Sequence, residues 1–351
     1  MAHDTMRSGG ELIAAGLLSP ERQSEIDAVA SRYAVAVTDD IAALMNRDDP
    51  NDPVARQYLP SAAELDAAPE ERADPIGDAR RSPVKGVVHR YPDRVLLTPL
   101  HACAVYCRFC FRREAVGPGK AALTPDEFRD ALDYIRAHAE IWEVILTGGD
   151  PLMLSPRRLK ELIAALSAIE HVAVVRIHTR VPMAAPRRVT AKMVAALATE
   201  KALWVSIHAN HANEFGPDQR AALARLTGAG IPLVGQSVLL RGVNDDAAAL
   251  EKLFRAMVAH RIKPYYLHHP DLARGTGHFR VGLDEGQGLM RRLRGRVSGL
   301  CQPGYVLDIP GGYGKVPVGP GYVRRAERGW VIEDPSGVAH DYPPPSRGVL
   351  E

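Results

Sequence analysis

The sequence predicts an α/β protein built on a partial (β/α)6 barrel, and two observations carry that prediction. Six short β-branched runs, at 94–100, 142–147, 172–178, 203–208, 233–240 and 263–268, alternate with helix-like stretches. Parallel strands need crossovers of helix length, so six consecutive βα units give a parallel sheet that curls into an open or partial barrel. Nearly every run also ends in a chemically able side chain: His101, then Gly148-Gly149-Asp150, His178-Thr179-Arg180, His208-Ala209-Asn210-His211, Asn244-Asp245, and His268-His269-Pro270-Asp271. Barrel enzymes keep their chemistry at the C-terminal ends of their strands, and six such residues at one rim are hard to explain as structural coincidence.

Residues 1–84 form a helical N-terminal region, with Ala/Leu-rich stretches at 11–18 and 21–45 broken by Asp/Pro clusters and a polar connection at 69–83. The barrel occupies 85–300. Thr124-Pro125-Asp126-Glu127 offers an N-cap, a proline at the first helical position and a capping-box glutamate, Ser155-Pro156 and Thr190 open two more helices, and Gly230 closes another. A C-terminal segment, 301–351, holds one more strand-like run at 305–309. A glycine-rich loop with a single lysine follows it, Asp308-Ile309-Pro310-Gly311-Gly312-Tyr313-Gly314-Lys315, and the tail beyond Pro335 is expected to be loosely held.

With a net charge of +2, the 351-residue chain shows no imbalance pointing to nucleic acid or a membrane surface, and the basic stretch Arg291, Arg292, Arg294 and Arg296 reads as a solvated helix face. No secretory signal or membrane-length apolar run is visible, which places the chain in the cytoplasm. Of only four cysteines, three lie within eight residues. A disulfide framework is therefore disfavoured, and a metal or redox site leads. Cys301 stands apart and reads as a buried apolar residue.

Cys103-x3-Cys107-x2-Cys110 supplies three thiolates from one loop, enough to bind three irons of a [4Fe-4S] cubane and leave the fourth open. Structural zinc uses four ligands, commonly as paired CxxC or HxxxH elements, and that spacing is not found here. The CxxxCxxC pattern with Phe109 before the third cysteine resembles the signature of the radical S-adenosylmethionine superfamily, whose partial (β/α)6 barrel agrees with the strand count. Gly148, Gly149 and Asp150 resemble the superfamily's second motif, which receives the amino group of S-adenosylmethionine. A lysine in a glycine-rich loop is weak evidence alone, but a lysine amine can hold pyridoxal phosphate.

Over nearly its whole length the chain resembles the lysine 2,3-aminomutase family, at 89–94, 107–113, 143–150, 176–180, 236–245, 277–280 and the loop from Asp308 to Lys315. That resemblance implies a [4Fe-4S] cluster on Cys103, Cys107 and Cys110, S-adenosylmethionine at Gly148, Gly149, Asp150 and Gln236, and pyridoxal 5′-phosphate on Lys315. It places Arg90 and Arg94 at the cofactor phosphate, Arg112 at the substrate carboxylate, and Asp271 and Asp308 at the distal ammonium of L-lysine. The implied reaction is an isomerisation. A deoxyadenosyl radical takes hydrogen from Cβ, the α-amino group moves to Cβ, and β-lysine results, with flavodoxin or ferredoxin as electron donor. The alternatives are a branch that supplies β-lysine for modification of elongation factor P, which the Tyr265-Tyr266-Leu267-His268 segment resembles, and an aminomutase acting on another amino acid. No cysteine follows Cys301, and Asp246 stands where the family's partner cysteine falls, so a homo-oligomer here forms without interchain zinc.

Overall fold

The computed structural model describes residues 5–117, 122–327 and 329–344. The lead-in carries helices α1 (Gly9–Ala14), α2 (Gln23–Arg32), α3 (Asp39–Ala42) and α4 (Ala55–Tyr58). Ser8 and Glu11 close a capping box on α1, satisfying amides that the first helical turn leaves unpaired. Where helices alone are expected, β1 (Thr5–Met6) also pairs with β2 (Val37–Thr38).

The centre is a nine-stranded sheet curled into a nearly closed barrel. It begins with an antiparallel hairpin, β3 (Val87–Tyr91) and β4 (Arg94–Leu100). From β4 the neighbours run parallel through β5 (Glu143–Gly148), β6 (Val174–Thr179), β7 (Ala202–His208), β8 (Leu233–Val238), β9 (Ile262–His268) and β10 (Gly304–Ile309). β11 (Gly314–Pro317) folds back on β10. All six expected strands are present within a few residues of their predicted ends. β10 extends the same sheet, so the lysine-bearing hairpin is continuous with the barrel.

The crossovers carry α5 (Pro125–Ala137), α6 (Pro156–Ser167), α7 (Val181–Ala184), α8 (Ala191–Ala195), α9 (Pro217–Gly228) and α10 (Ala247–Ala259), and α11 (Leu283–Leu293) precedes β10. Thr124 caps α5 in a capping box, Ser155 caps α6, Thr190 caps α8, and Gly230 turns the chain after α9 at φ +76°. Ile135, Leu166, Leu226 and Leu253 on these helices pack against outward-facing strand residues such as Val144, Val175 and Val205, all fully buried. Strand alternation then turns Arg176, His178, His208, Gln236 and His268 inward. Cys301 is buried in that core, as expected.

The expected tail beyond Pro335 contributes one exposed strand to a small sheet. β12 (Val323–Arg325), β13 (Trp330–Glu333) and β14 (Ala339–Tyr342) form a separate antiparallel sheet. The β13–β14 turn is stabilised by Asp334, whose carboxylate accepts from the backbone of Ser336 and Val338, with Gly337 at φ +91°. Residues 345–351 of the expected tail lie outside the described residues. Arg291 of the basic stretch pairs with Glu333 and Arg296 pairs with Glu251, so these residues do sit on a solvated, charge-paired face.

Candidate active site

The loop after β4 carries the three cysteines into one cavity, lined by Cys103, Cys107, Cys110, Asp150 and Arg180. Backbone contacts hold this loop against its neighbours: the Arg108 amide donates to the Gln57 carbonyl, the Tyr106 amide donates to that of Ala36, and the Tyr106 hydroxyl donates to the Arg113 carbonyl. Arg108 and Arg113, flanking the third cysteine, both ion-pair with the fully buried Glu64.

Burial raises all three thiols, Cys107 to about 11, while the Arg180 guanidinium works the other way on Cys107. Their conversion to thiolates therefore needs a strongly electropositive partner, which bound iron is. Among the described residues no three His, Cys, Asp or Glu side chains are arranged to hold a single ion. A cubane asks for something different, since each thiolate takes a separate iron. Arg180 supplies an independent indication of fit. Its Nε donates to Tyr58 at 2.6 Å and one terminal nitrogen to Gln57 and Glu214, but its buried Nη1 has no protein partner. A donor left unspent beside the cysteines suits an acceptor such as a cluster sulfide or a ligand carboxylate.

The Gly-Gly-Asp turn is pressed onto the cysteine loop. The Gly149 amide donates to Leu100 O and that of Asp150 to Ala102 O. Gly148 sits at φ +101°, with Thr98 Cβ 2.7 Å from where a side chain would begin, and a Cβ on Gly149 would collide with the Ala102 carbonyl. Sequence reasoning treats this turn as a source of ammonium acceptors. The Asp150 carboxylate is already engaged, accepting from the amides of Leu152, Arg180 and Val181 and from Thr179 Oγ1. Asp150 therefore clamps β5 to β6, and the turn's free acceptors are backbone carbonyls.

A second group of residues gathers around Lys315. Lys315 is the second residue of β11, opposite Asp308 of β10, and the two side chains form an ion pair. Its Nζ lies 3.1 Å from His268 Nδ1 and 5.7 Å from the Tyr266 ring centre, and its amide donates to Tyr91 Oη at 2.7 Å. Gly311, Gly312 and Gly314 before it have φ of +90°, +87° and +103°, backbone that only glycine adopts without strain. Arg90 reaches Asp308 at 3.4 Å and Asp78 at 2.9 Å, and its buried Nε has no protein partner. A guanidinium with an unspent donor suits a phosphate. Arg112 holds Asp78 through Nε and Nη2, with Nη1 3.4 Å from Thr147 Oγ1.

Asp271 is half-buried, and the desolvation, reinforced by the Asp308 charge, raises its carboxyl to about 7. Gln236 donates to Ser206 Oγ at 2.6 Å and faces His268 Nε2 with its carbonyl oxygen at 3.2 Å. Arg94 lies further out, stacked 3.9 Å over the Tyr91 ring and paired with Asp93. The interior imidazoles are kept neutral. Burial, with nearby cations, lowers His178 and His268 well below the usual histidine range, and His208 to about 3.

Sequence reasoning placed Arg180 at the barrel rim without a role, and did not single out Asp78 or Glu64. Asp78 and Glu64 sit in a polar lead-in with no strand or motif to mark them, and only folding carries them to the barrel.

Residues 97–253 match the Radical SAM superfamily model, and residues 290–350 match a model described as Lysine-2,3-aminomutase. A putative L-lysine 2,3-aminomutase of Aquifex aeolicus is 41% identical over 88% of this chain and 84% of its own length. The L-lysine 2,3-aminomutase of Clostridium subterminale is 40% identical over 87% of this chain and 74% of its own. The chain belongs to the lysine 2,3-aminomutase family. It is thus an isomerase of the radical S-adenosylmethionine superfamily, whose members use a [4Fe-4S] cluster and S-adenosylmethionine. A glutamate 2,3-aminomutase of Clostridioides difficile is also related, 33% identical over 87% of this chain and 72% of its own. Membership alone therefore leaves the substrate to the site. No helix among the described residues is long and apolar enough to cross a membrane.

Proposed function

We propose that this enzyme is a pyridoxal-phosphate-dependent L-lysine 2,3-aminomutase that produces β-lysine. The observation that carries the reading is the pairing of Lys315 with Asp308, the latter near a second half-buried carboxylate, Asp271, and within reach of Arg90. A pocket with two carboxylates favours a cationic side chain and rejects an anionic one by several kcal/mol.

Cys103, Cys107 and Cys110 hold the cluster, and the turn at Gly148, Gly149 and Asp150, together with Gln236, contacts S-adenosylmethionine. Lys315 holds pyridoxal phosphate by its amine, Arg90 grips the phosphate, and Arg94 reinforces that end by stacking on Tyr91. When bound, these groups supply hydrogen abstraction at Cβ and a conjugated path along which nitrogen moves from Cα to Cβ.

Charge accounts for the order of events on the protein side. In this structure Asp308 pairs with the Lys315 ammonium. With its amine engaged by the cofactor, Lys315 would no longer pair with Asp308, which together with Asp271 would receive the substrate's distal ammonium. Arg112, already oriented by Asp78, takes the α-carboxylate in a bidentate fork. A one-electron donor of the flavodoxin or ferredoxin kind reduces the cluster in the cytoplasm, and any oligomer assembles without interchain zinc, since Asp246 caps α10 through the amides of Ala248 and Ala249.

The test is an anaerobic assay of protein with S-adenosylmethionine, dithionite and either L-lysine or L-glutamate. β-Lysine from lysine, with no product from glutamate, is the expected result. Deoxyadenosine formed without β-lysine would remove lysine as the substrate.

A further inference from the structure

His268 ends β9 with its ring between two polar neighbours, Lys315 on Nδ1 and Gln236 on Nε2. Lys315 fixes which ring nitrogen carries the proton, because its ammonium, ion-paired with Asp308, has only donors to offer Nδ1. On the other side of the ring the Gln236 carbonyl oxygen faces Nε2, while its amide nitrogen donates to Ser206 Oγ. Nε2 must then be the donor, and the neutral ring presents a bare lone pair at Nδ1. That lone pair points at Lys315 Nζ, 3.1 Å away.

Lys315 thus has two acceptors, one charged (Asp308) and one neutral (His268). Resting on the function proposed above, the charged acceptor passes to the substrate's distal ammonium as substrate binds. Lys315 is released from the cofactor in the same event. Both bonds between Lys315 Nζ and the cofactor's carbonyl carbon would be replaced by two from the substrate α-nitrogen. The three hydrogens brought in on the substrate's α-ammonium would end on Lys315 Nζ, leaving it an ammonium, and no oxidant or reductant is consumed.

We propose that His268 is the positioning residue that receives Lys315 during this exchange, holding the freed amine through Nδ1 while Asp308 serves the substrate. A neutral acceptor suits that task. A second carboxylate at position 268 would crowd Asp308 and Asp271 with a third negative charge, and an apolar residue would leave the released ammonium buried with nothing to accept from it. The other ionisable groups around the pair are Tyr266, whose ring lies 5.6 Å from that of His268, the neutral His178 and His208, and Arg90 beyond Asp308.

The experiment compares two polar replacements that differ only in where they place an acceptor. Asparagine sets its carbonyl oxygen where Nδ1 stands, whereas glutamine sets it where Nε2 stands. The holoenzyme is mixed with L-lysine in a stopped-flow spectrometer without reductant, and the cofactor absorbance change reports amine exchange before any radical step. H268N is expected to exchange within about threefold of the parent, and H268Q roughly tenfold or more slower in the limiting rate, with the half-saturating lysine concentration little changed. Equal rates for H268N and H268Q, or a parental rate in H268Q, would overturn the role of His268 while leaving the proposed function standing. A parent enzyme with no lysine-dependent absorbance change, and no borohydride-trapped adduct on Lys315, would instead overturn the proposed function and this inference together.

Discussion

Asp271 shows how one desolvated carboxyl links stability to substrate binding. Its carboxyl is raised from 3.8 to about 7, first by burial and then by Asp308. A raised carboxyl pKa means that the folded state resists ionisation. Asp271 therefore costs stability progressively as pH climbs from about 4 toward 7, and the cost is constant above that. D271N is expected to melt at a higher temperature than the parent at pH 8, by a free energy on the order of 1 kcal/mol or more, with the difference vanishing near pH 4. The same substitution should raise the KM for lysine, because the neutral amide no longer attracts an ammonium. In the parent, KM should fall as pH rises through about 7, the range in which Asp271 ionises. A KM independent of pH between 6 and 8 would separate Asp271 from substrate binding. Arg112 and Lys315 face the same carboxyl and favour its ionised form.

At the scale of elements, the turn after β5 and the loop after β4 behave as one unit. Two backbone hydrogen bonds join them, and Gly149 lies against the Ala102 carbonyl with no room for a side chain. G149A is expected to displace the cysteine loop and lower iron and sulfide content per chain well below the parent's after anaerobic reconstitution. Parental content would show that the turn yields more easily than this contact implies. Helix α5 offers a contrast, since the Thr124 side chain bonds within its own capping box. T124A should cost about 1 kcal/mol of stability, read as a lower urea midpoint, with iron content unchanged.

Across the whole molecule, the lead-in is tied to the barrel by buried charge. Glu64 receives Arg108 and Arg113 from the cysteine loop, and Gln57 and Tyr58 engage Arg180 from the end of β6. Each tie joins residues far apart in sequence within a site of almost no solvent exposure. Removing the anion leaves two buried guanidiniums facing a neutral amide. E64Q is therefore expected to lose roughly 3–5 kcal/mol in urea unfolding, and to lose cluster occupancy with it. A loss under 1 kcal/mol would mean that water or a neighbouring carboxylate takes over the pairing.

The sequence alone determined the strands, their order, the helix caps and the cysteine triplet. These depend on local chemistry: strand alternation, capping side chains, and ligands placed within one loop. It also marked Lys315, Asp308 and Asp271, through spacing in a recognisable loop and at a strand end. The strand at 314–317 was hidden because glycine-rich sequence reads as a turn, and the hairpins of 323–342 were hidden because short polar strands carry little hydrophobic period. Only the tertiary structure decided the rest. Asp150 gained a clamping role because the amides of Arg180 and Val181 fold back onto its carboxylate. Asp78 and Glu64 became site residues because the lead-in folds against the barrel, and His268 gained a defined tautomer because the Lys315 ammonium meets its Nδ1 across the sheet. The direction of a hydrogen bond depends on which groups meet across the fold, and that information is not local in the chain.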